Sequence, residues 1–152
     1  MSKGVYTVTF TGSVSAAITL IQLKAGATVP LEILRANVAQ HNSTTSAMQP
    51  VILVRKSAAA TVTSFTPVKT DENDGAASAA GGTSATGVNA SAEGTDTDVV
   101  FNDAFNVLNG WLYLPVPEER IKVLGAGIIG LKFADAPSTA LSVRATVTFR
   151  EL

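Results

Sequence analysis

The chain has 152 residues, a mass of 15.6 kDa, no cysteine and a single histidine, His41. That length fits one domain, and the composition excludes disulfide frameworks, cysteine-ligated zinc, iron–sulfur centres, cysteine nucleophiles and multi-histidine metal sites. Charged residues make up 15% of the chain, against about 25% in an average domain, and a net charge of −1 lacks the basic footprint of a nucleic-acid binder.

Apolar residues recur with a period of two along most of the chain, which is the strand period. Tyr6, Val8 and Phe10 alternate with Thr7, Thr9 and Thr11, predicting a half-buried strand. Ile18 to Leu23 reads as a more fully buried strand, and Leu31 to Gln40, after Gly26 and Pro30, as a third. Val51–Val54 follows Pro50, and Thr61–Phe65 is a further short candidate. Asp98–Phe105, Trp111–Leu114, Ile128–Phe133 and Leu141–Phe149 complete the series. In the last, Leu141, Val143, Ala145, Val147 and Phe149 share one face, and Ser142, Arg144, Thr146 and Thr148 the other. Helical spacing is confined to Pro117–Val123, one or two turns with proline in the first turn and early acids suited to the helix dipole. About eight short strands punctuated by Gly, Pro and Asn predict an all-β, jelly-roll-like antiparallel sandwich, one domain over residues 1–152.

Residues 70–97 differ in kind. They hold one large aliphatic side chain, Val88, among Ala, Ser, Thr, Gly and Asp, too little apolar surface to offset their ordering entropy. The segment reads as a long flexible loop, either mobile with one short strand or an arm that orders against a neighbouring subunit. No Lys or Arg lies between Lys69 and Arg120, whereas nine of the twelve acids do. The first residues lack the apolar core of a signal peptide, and no apolar run approaches membrane-spanning length. The expectation is a product of the cytosol that engages neither membrane nor nucleic acid.

Motifs with chemical meaning fail on inspection. Gly125-Ala-Gly127-Ile-Ile-Gly130 matches the dinucleotide fingerprint, but Pro137 and the β-patterned end leave no room for a βαβ unit, so a glycine-rich turn entering a strand is expected. Asp71-Glu-Asn-Asp-Gly75 suggests a calcium loop, yet Gly75 and Gly82 fall where oxygen ligands are needed. A non-standard calcium site at Asp96 and Asp98 stays open. His41 lacks a nucleophile-elbow partner, and the adjacent Glu118 and Glu119 point apart, unlike a glycosidase pair. Trp111 and Tyr113, two residues apart, share a sheet face, either as core or as a carbohydrate or partner surface. No enzymatic activity and no cofactor are expected.

Two stretches carry a resemblance. Asp103-Ala-Phe-Asn-Val-Leu-Asn-Gly-Trp111-Leu-Tyr113-Leu-Pro115-Val-Pro117-Glu-Glu-Arg120 and the closing Ser142–Glu151, with the N-terminal strand Tyr6–Thr11, resemble small proteins encoded in the structural gene blocks of tailed bacteriophages and prophages. The resemblance implies a jelly-roll virion component, most similar to head decoration (cement) proteins that act as trimers on the capsid surface. Its implied partners are the major capsid protein and further copies of itself. Trp111, Tyr113, Pro115, Pro117 and Arg120 then become the candidate partner-binding residues. Tail-tube or tail-tip subunits and a carbohydrate-binding sandwich are the alternatives.

Overall fold

Alternation along the termini builds the centre of the molecule. A computed structural model describes residues 4–152. In β1 (Gly4–Val14) Tyr6, Val8 and Phe10 point inward, and in β12 (Leu141–Glu151) Leu141, Val143, Ala145, Val147 and Phe149 do the same. The two strands pair antiparallel over their whole length, from Gly4 opposite Glu151 to Val14 opposite Leu141. β3 (Leu31–Gln40) pairs along the other side of β12, with a bulge at Leu34. β6 (Val68–Lys69) adds to β1, while β9 (Trp111–Tyr113) and β10 (Lys122–Val123) share the free side of β3. These six strands form sheet I, in the order β10-β3-β12-β1-β6 with β9 beside β10 on β3.

Sheet II runs β5-β7-β2-β11-β4-β8. Its members are β2 (Thr19–Lys24), β4 (Met48–Ala58), β5 (Thr61–Ser64), β7 (Gly87–Ala92), β8 (Thr95–Asn106) and β11 (Ile128–Phe133). All pairings between these strands are antiparallel. The two sheets pack face to face on one apolar core that includes Tyr6, Phe149, Leu20, Leu53, Leu131 and Phe133. Each such side chain contributes about 1.5–3 kcal/mol through burial. The chain is therefore an antiparallel β-sandwich, as the period-two pattern predicts.

Two strands went unforeseen, and a third was expected only as one short strand somewhere within residues 70–97. β6 and β10 are two residues long, below any periodicity. β7 is a short strand inside residues 70–97, and its composition explains why no apolar pattern marks its position. A Cβ on Gly87 would stand 2.4 Å from the Thr63 carbonyl oxygen, and Ala90 is buried against Ala60 and Val62. Small residues are what this close approach demands, so β7 is a strand without apolar bulk. β8 likewise starts at Thr95, inside that segment.

The remaining stretch, 70–86, is tied to its own chain. The Tyr6 hydroxyl donates to the Gly75 carbonyl at 2.9 Å, and the Ala79 N–H donates to the buried Glu151 carboxylate at 2.9 Å. The Gln22 amide donates to the Ala85 carbonyl at 2.7 Å, and the Lys24 N–H to the Thr86 hydroxyl at 3.0 Å. Backbone and side-chain hydrogen bonds, rather than apolar area, order it. The helical spacing at Pro117–Val123 is also corrected: one 3-10 turn spans Pro117–Glu119, and β10 follows. A single turn cannot outweigh the sheet hydrogen bonds that Lys122 and Val123 gain from β3.

Candidate functional site

The sandwich has one side where the margins of both sheets come together. β8 is the outer strand of sheet II, and β9 is a margin of sheet I. The chain crosses between them in a turn held by Asn106, whose carbonyl accepts from Asn109 N–H and whose side chain accepts from Leu108 N–H. Gly110 closes it at φ +74°, left-handed backbone suited to glycine. The crossing brings three aromatic rings together. Phe101 lies 4.6 Å from Tyr113 and 6.2 Å from Trp111, centroid to centroid. The Trp111 indole N–H donates to Asp103 Oδ2 at 3.0 Å, joining the two sheets through side chains. Burial, and secondarily the Glu119 charge, raises the Tyr113 phenol pKa.

In front of these rings runs a groove of about 590 Å³ lined by Val100, Phe101, Leu112, Tyr113, Leu114 and Glu119, among others. Leu112, Leu114 and Val116 are 55, 66 and 55% exposed. Large aliphatic side chains thus stand exposed at alternate positions along this margin.

Of the residues singled out from sequence, Trp111 and Tyr113 are buried in the core. Neither ring offers an open stacking platform. Pro115 is half-buried on the groove wall, and Pro117 is exposed at the start of the 3-10 turn. Arg120 turns inward: its guanidinium lies 3.7 Å from Glu32, a buried carboxylate that Arg150 also binds. The outward residues are the intervening ones, Leu112, Leu114 and Val116. The signal was the same alternation, read with the opposite parity: in a short strand over a core, the aromatic positions go in and the aliphatic ones between them go out.

A second polar cluster sits on sheet II. Lys56, whose side chain is wholly buried, donates to Asp96 Oδ1 at 2.6 Å and to the Glu93 carbonyl at 3.0 Å. Lys132 donates to Asp96 Oδ2 at 2.8 Å and stands 3.3 Å from Glu93 Oε1. Thr19 donates to both Glu93 oxygens, at 2.9 Å from N–H and 2.7 Å from the hydroxyl. Burial alone would raise the pKa of Glu93, but the Thr19 hydrogen bonds and Lys132 outweigh it and hold the pKa low. Asp96 is held low by Lys132 and Lys56 against a similar burial effect. The Lys132 pKa is raised, its partial burial outweighed by the two carboxylates. Two ammonium groups thus occupy the Asp96 oxygens that a cation site with Asp98 would have used.

The remaining motifs serve the fold. Gly125 and Gly127 make the turn before β11, with Gly127 N–H bonded to the Leu124 carbonyl, and Gly130 lies inside that strand. Asp71 caps its own turn by accepting from Asn73 N–H. His41 is exposed just past β3, and Glu118 and Glu119 are exposed on the 3-10 turn. Together these features define an antiparallel β-sandwich whose most developed surface feature is an aliphatic margin beside a groove. Comparison with known protein families, curated proteins and solved structures returns no match.

Proposed function

We propose that the protein is a non-enzymatic structural subunit of a tailed-phage virion, a jelly-roll head decoration (cement) protein. It binds the major capsid protein on the outside of the shell and acts as a trimer. One observation carries the reading: the stretch that bears the resemblance, Asp103–Arg120, is also the stretch that builds the exposed aliphatic margin Leu112, Leu114 and Val116. A surface of this kind gains free energy by being covered by protein. Specific attachment needs about 1,600 Å² of buried surface, and three linked copies make later contacts intramolecular, with large gains in avidity. The burial of Trp111 and Tyr113 disfavours the carbohydrate-platform alternative.

The test is a stripped-and-readded particle assay. Purified protein added to capsids lacking it is expected to appear in density on the head surface and to raise the temperature at which particles release DNA. Density confined to the tail, or capsids no more stable with the protein than without it, would overturn the reading.

A further inference from the structure

Two adjoining surfaces carry opposite charge that the chain itself does not neutralise. The first is the outer face of sheet I. The pairing of β1, β12 and β3 sets Thr7 opposite Thr148, Thr9 opposite Thr146 and Thr11 opposite Arg144, with Asn37, Arg35 and Ala39 in the next strand. Arg35 and Arg144 are exposed and make no ion pair or hydrogen bond among the described residues. The one acid in these strands on that face, Glu32, is buried between Arg120 and Arg150, and exposed Lys122 lies beside it. The face is flat, rich in threonine and positive.

The second surface is the groove margin. Glu118 and Glu119 are exposed on the 3-10 turn that follows Leu112, Leu114 and Val116, and neither has an ion-pair partner among the described residues. Arg120, the next residue, turns away to Glu32 and leaves both acids unpaired. Apolar contact area framed by unpaired acids asks for a partner surface that is neutral at its centre and positive around it. The outer face of sheet I has that arrangement.

Like charge disfavours setting either surface against its own copy. Margin against margin would set Glu118 and Glu119 against their own copies, and face against face would do the same for Arg35 and Arg144. The favourable contact sets margin against face, either reciprocally across a two-fold axis or head to tail. Leu112 stands opposite Asn37 at the edge of the same sheet, so the two surfaces adjoin and are not on opposite sides of the molecule. A reciprocal contact gives a dimer, and a head-to-tail contact gives a ring where the rotation between copies closes, as the trimer of the proposed function requires. We propose that the Leu112–Glu119 margin of one copy docks onto the threonine–arginine face of sheet I of a second copy. This inference rests on the self-association within the proposed function and assigns its surfaces.

Charge exchange tests it on the whole chain. Light scattering of the purified protein at about 0.15 M salt is expected to give three times the chain mass. The exposed double variants Glu118→Lys/Glu119→Lys and Arg35→Glu/Arg144→Glu are each expected to weaken association at least tenfold. The quadruple variant restores opposite charge across the contact and is expected to regain the ring. Circular dichroism checks that each variant stays folded. A wild-type monomer would overturn both this inference and the trimer in the proposed function. A trimer indifferent to both double variants, or folded quadruple variants that stay dissociated, would overturn the surface assignment alone, because capsid binding is measured separately.

Discussion

Strands β12 and β8 are similar in length and opposite in construction. β12 is central, pairs on both sides, and alternates between buried residues and half-exposed or exposed ones throughout. β8 is marginal, pairs among the described residues only with β4, carries register shifts opposite Leu53–Ala58, and is exposed over most of its length. β12 is held by burial. β8 is held by a few anchoring side chains: Phe105 in the core, Asp103 on the Trp111 indole, and Asp96 on two lysines. A free strand edge is a template for pairing with other chains, and the irregularity and acids of β8 blunt it against unselective pairing.

Burial should dominate any measurement on β12. Phe149 is fully buried and packs 5.6 Å from the Tyr6 ring. Phe149→Ala is expected to lower unfolding stability by about 3–5 kcal/mol, whereas Val99→Ala in β8, at a position 52% exposed, should stay within about 0.5 kcal/mol. Denaturant titrations that gave equal losses would erase the contrast between the strands.

The anchors of β8 predict the next largest effect. Asp96→Ala removes the closest acceptor of a buried ammonium and is expected to cost about 2–3 kcal/mol. The double variant Lys56→Met/Asp96→Ala should cost less than the two single losses combined, since the stranded charge goes with its partner. The same cluster sets a pH dependence. Glu93 and Asp96 have folded pKa values below their ordinary ones, so their contribution is complete above about pH 5 and falls away as pH drops through the lowered values. Lys132 is shifted the other way: its contribution is complete below about pH 10 and is lost as pH rises past its raised value. Urea midpoints measured from pH 2 to 7 should show the acid loss, and Glu93→Gln/Asp96→Asn should flatten it. An unchanged slope in that variant would assign the acid loss to other carboxylates.

The contrast between the two strands also decides what could be read from sequence. β12 was legible because burying one face of a central strand enforces strict alternation, and β1, β3 and β11 were legible for related reasons. β7 was allowed for only as an unplaced short strand, because Gly87 and Ala90 serve closeness of approach and not apolar bulk. The ordering of 70–86 depends on Tyr6, Gln22 and Glu151, residues distant in sequence, and no local pattern encodes that. At the margin, sequence put Trp111 and Tyr113 forward as contact residues, whereas the exposed side chains are Leu112 and Leu114. Aromatic rings attract attention as binding residues, while which parity faces out depends on the register against β3, which sets Trp111 and Tyr113 opposite buried Val38 and Ala36. The salt bridge from Arg120 to Glu32 spans 88 positions and was beyond any spacing argument.

Two substitutions in β9 separate its inner and outer roles. Trp111→Phe keeps most of the ring packing but loses the hydrogen bond to Asp103, at an expected cost of about 1 kcal/mol. If the loss is nearer zero, solvent at exposed Asp103 fully replaces the bond, and β8 depends on its other anchors. Leu112→Ser/Leu114→Ser changes only outward positions, so the stability of the isolated chain should move by no more than about 0.5 kcal/mol. Association should respond quite differently. Each leucine covered in a contact contributes about 1.5–3 kcal/mol, and every 1.4 kcal/mol is a factor of about ten in affinity, so the double variant should lose at least tenfold in self-association or capsid retention. A stable fold with intact assembly would mean that these leucines remain solvated in the complex and that the working surface lies elsewhere. A fold that collapsed with them would make the margin part of the core. Only unchanged stability with lost association fits a strand whose inner face belongs to its own molecule and whose outer face belongs to a neighbour.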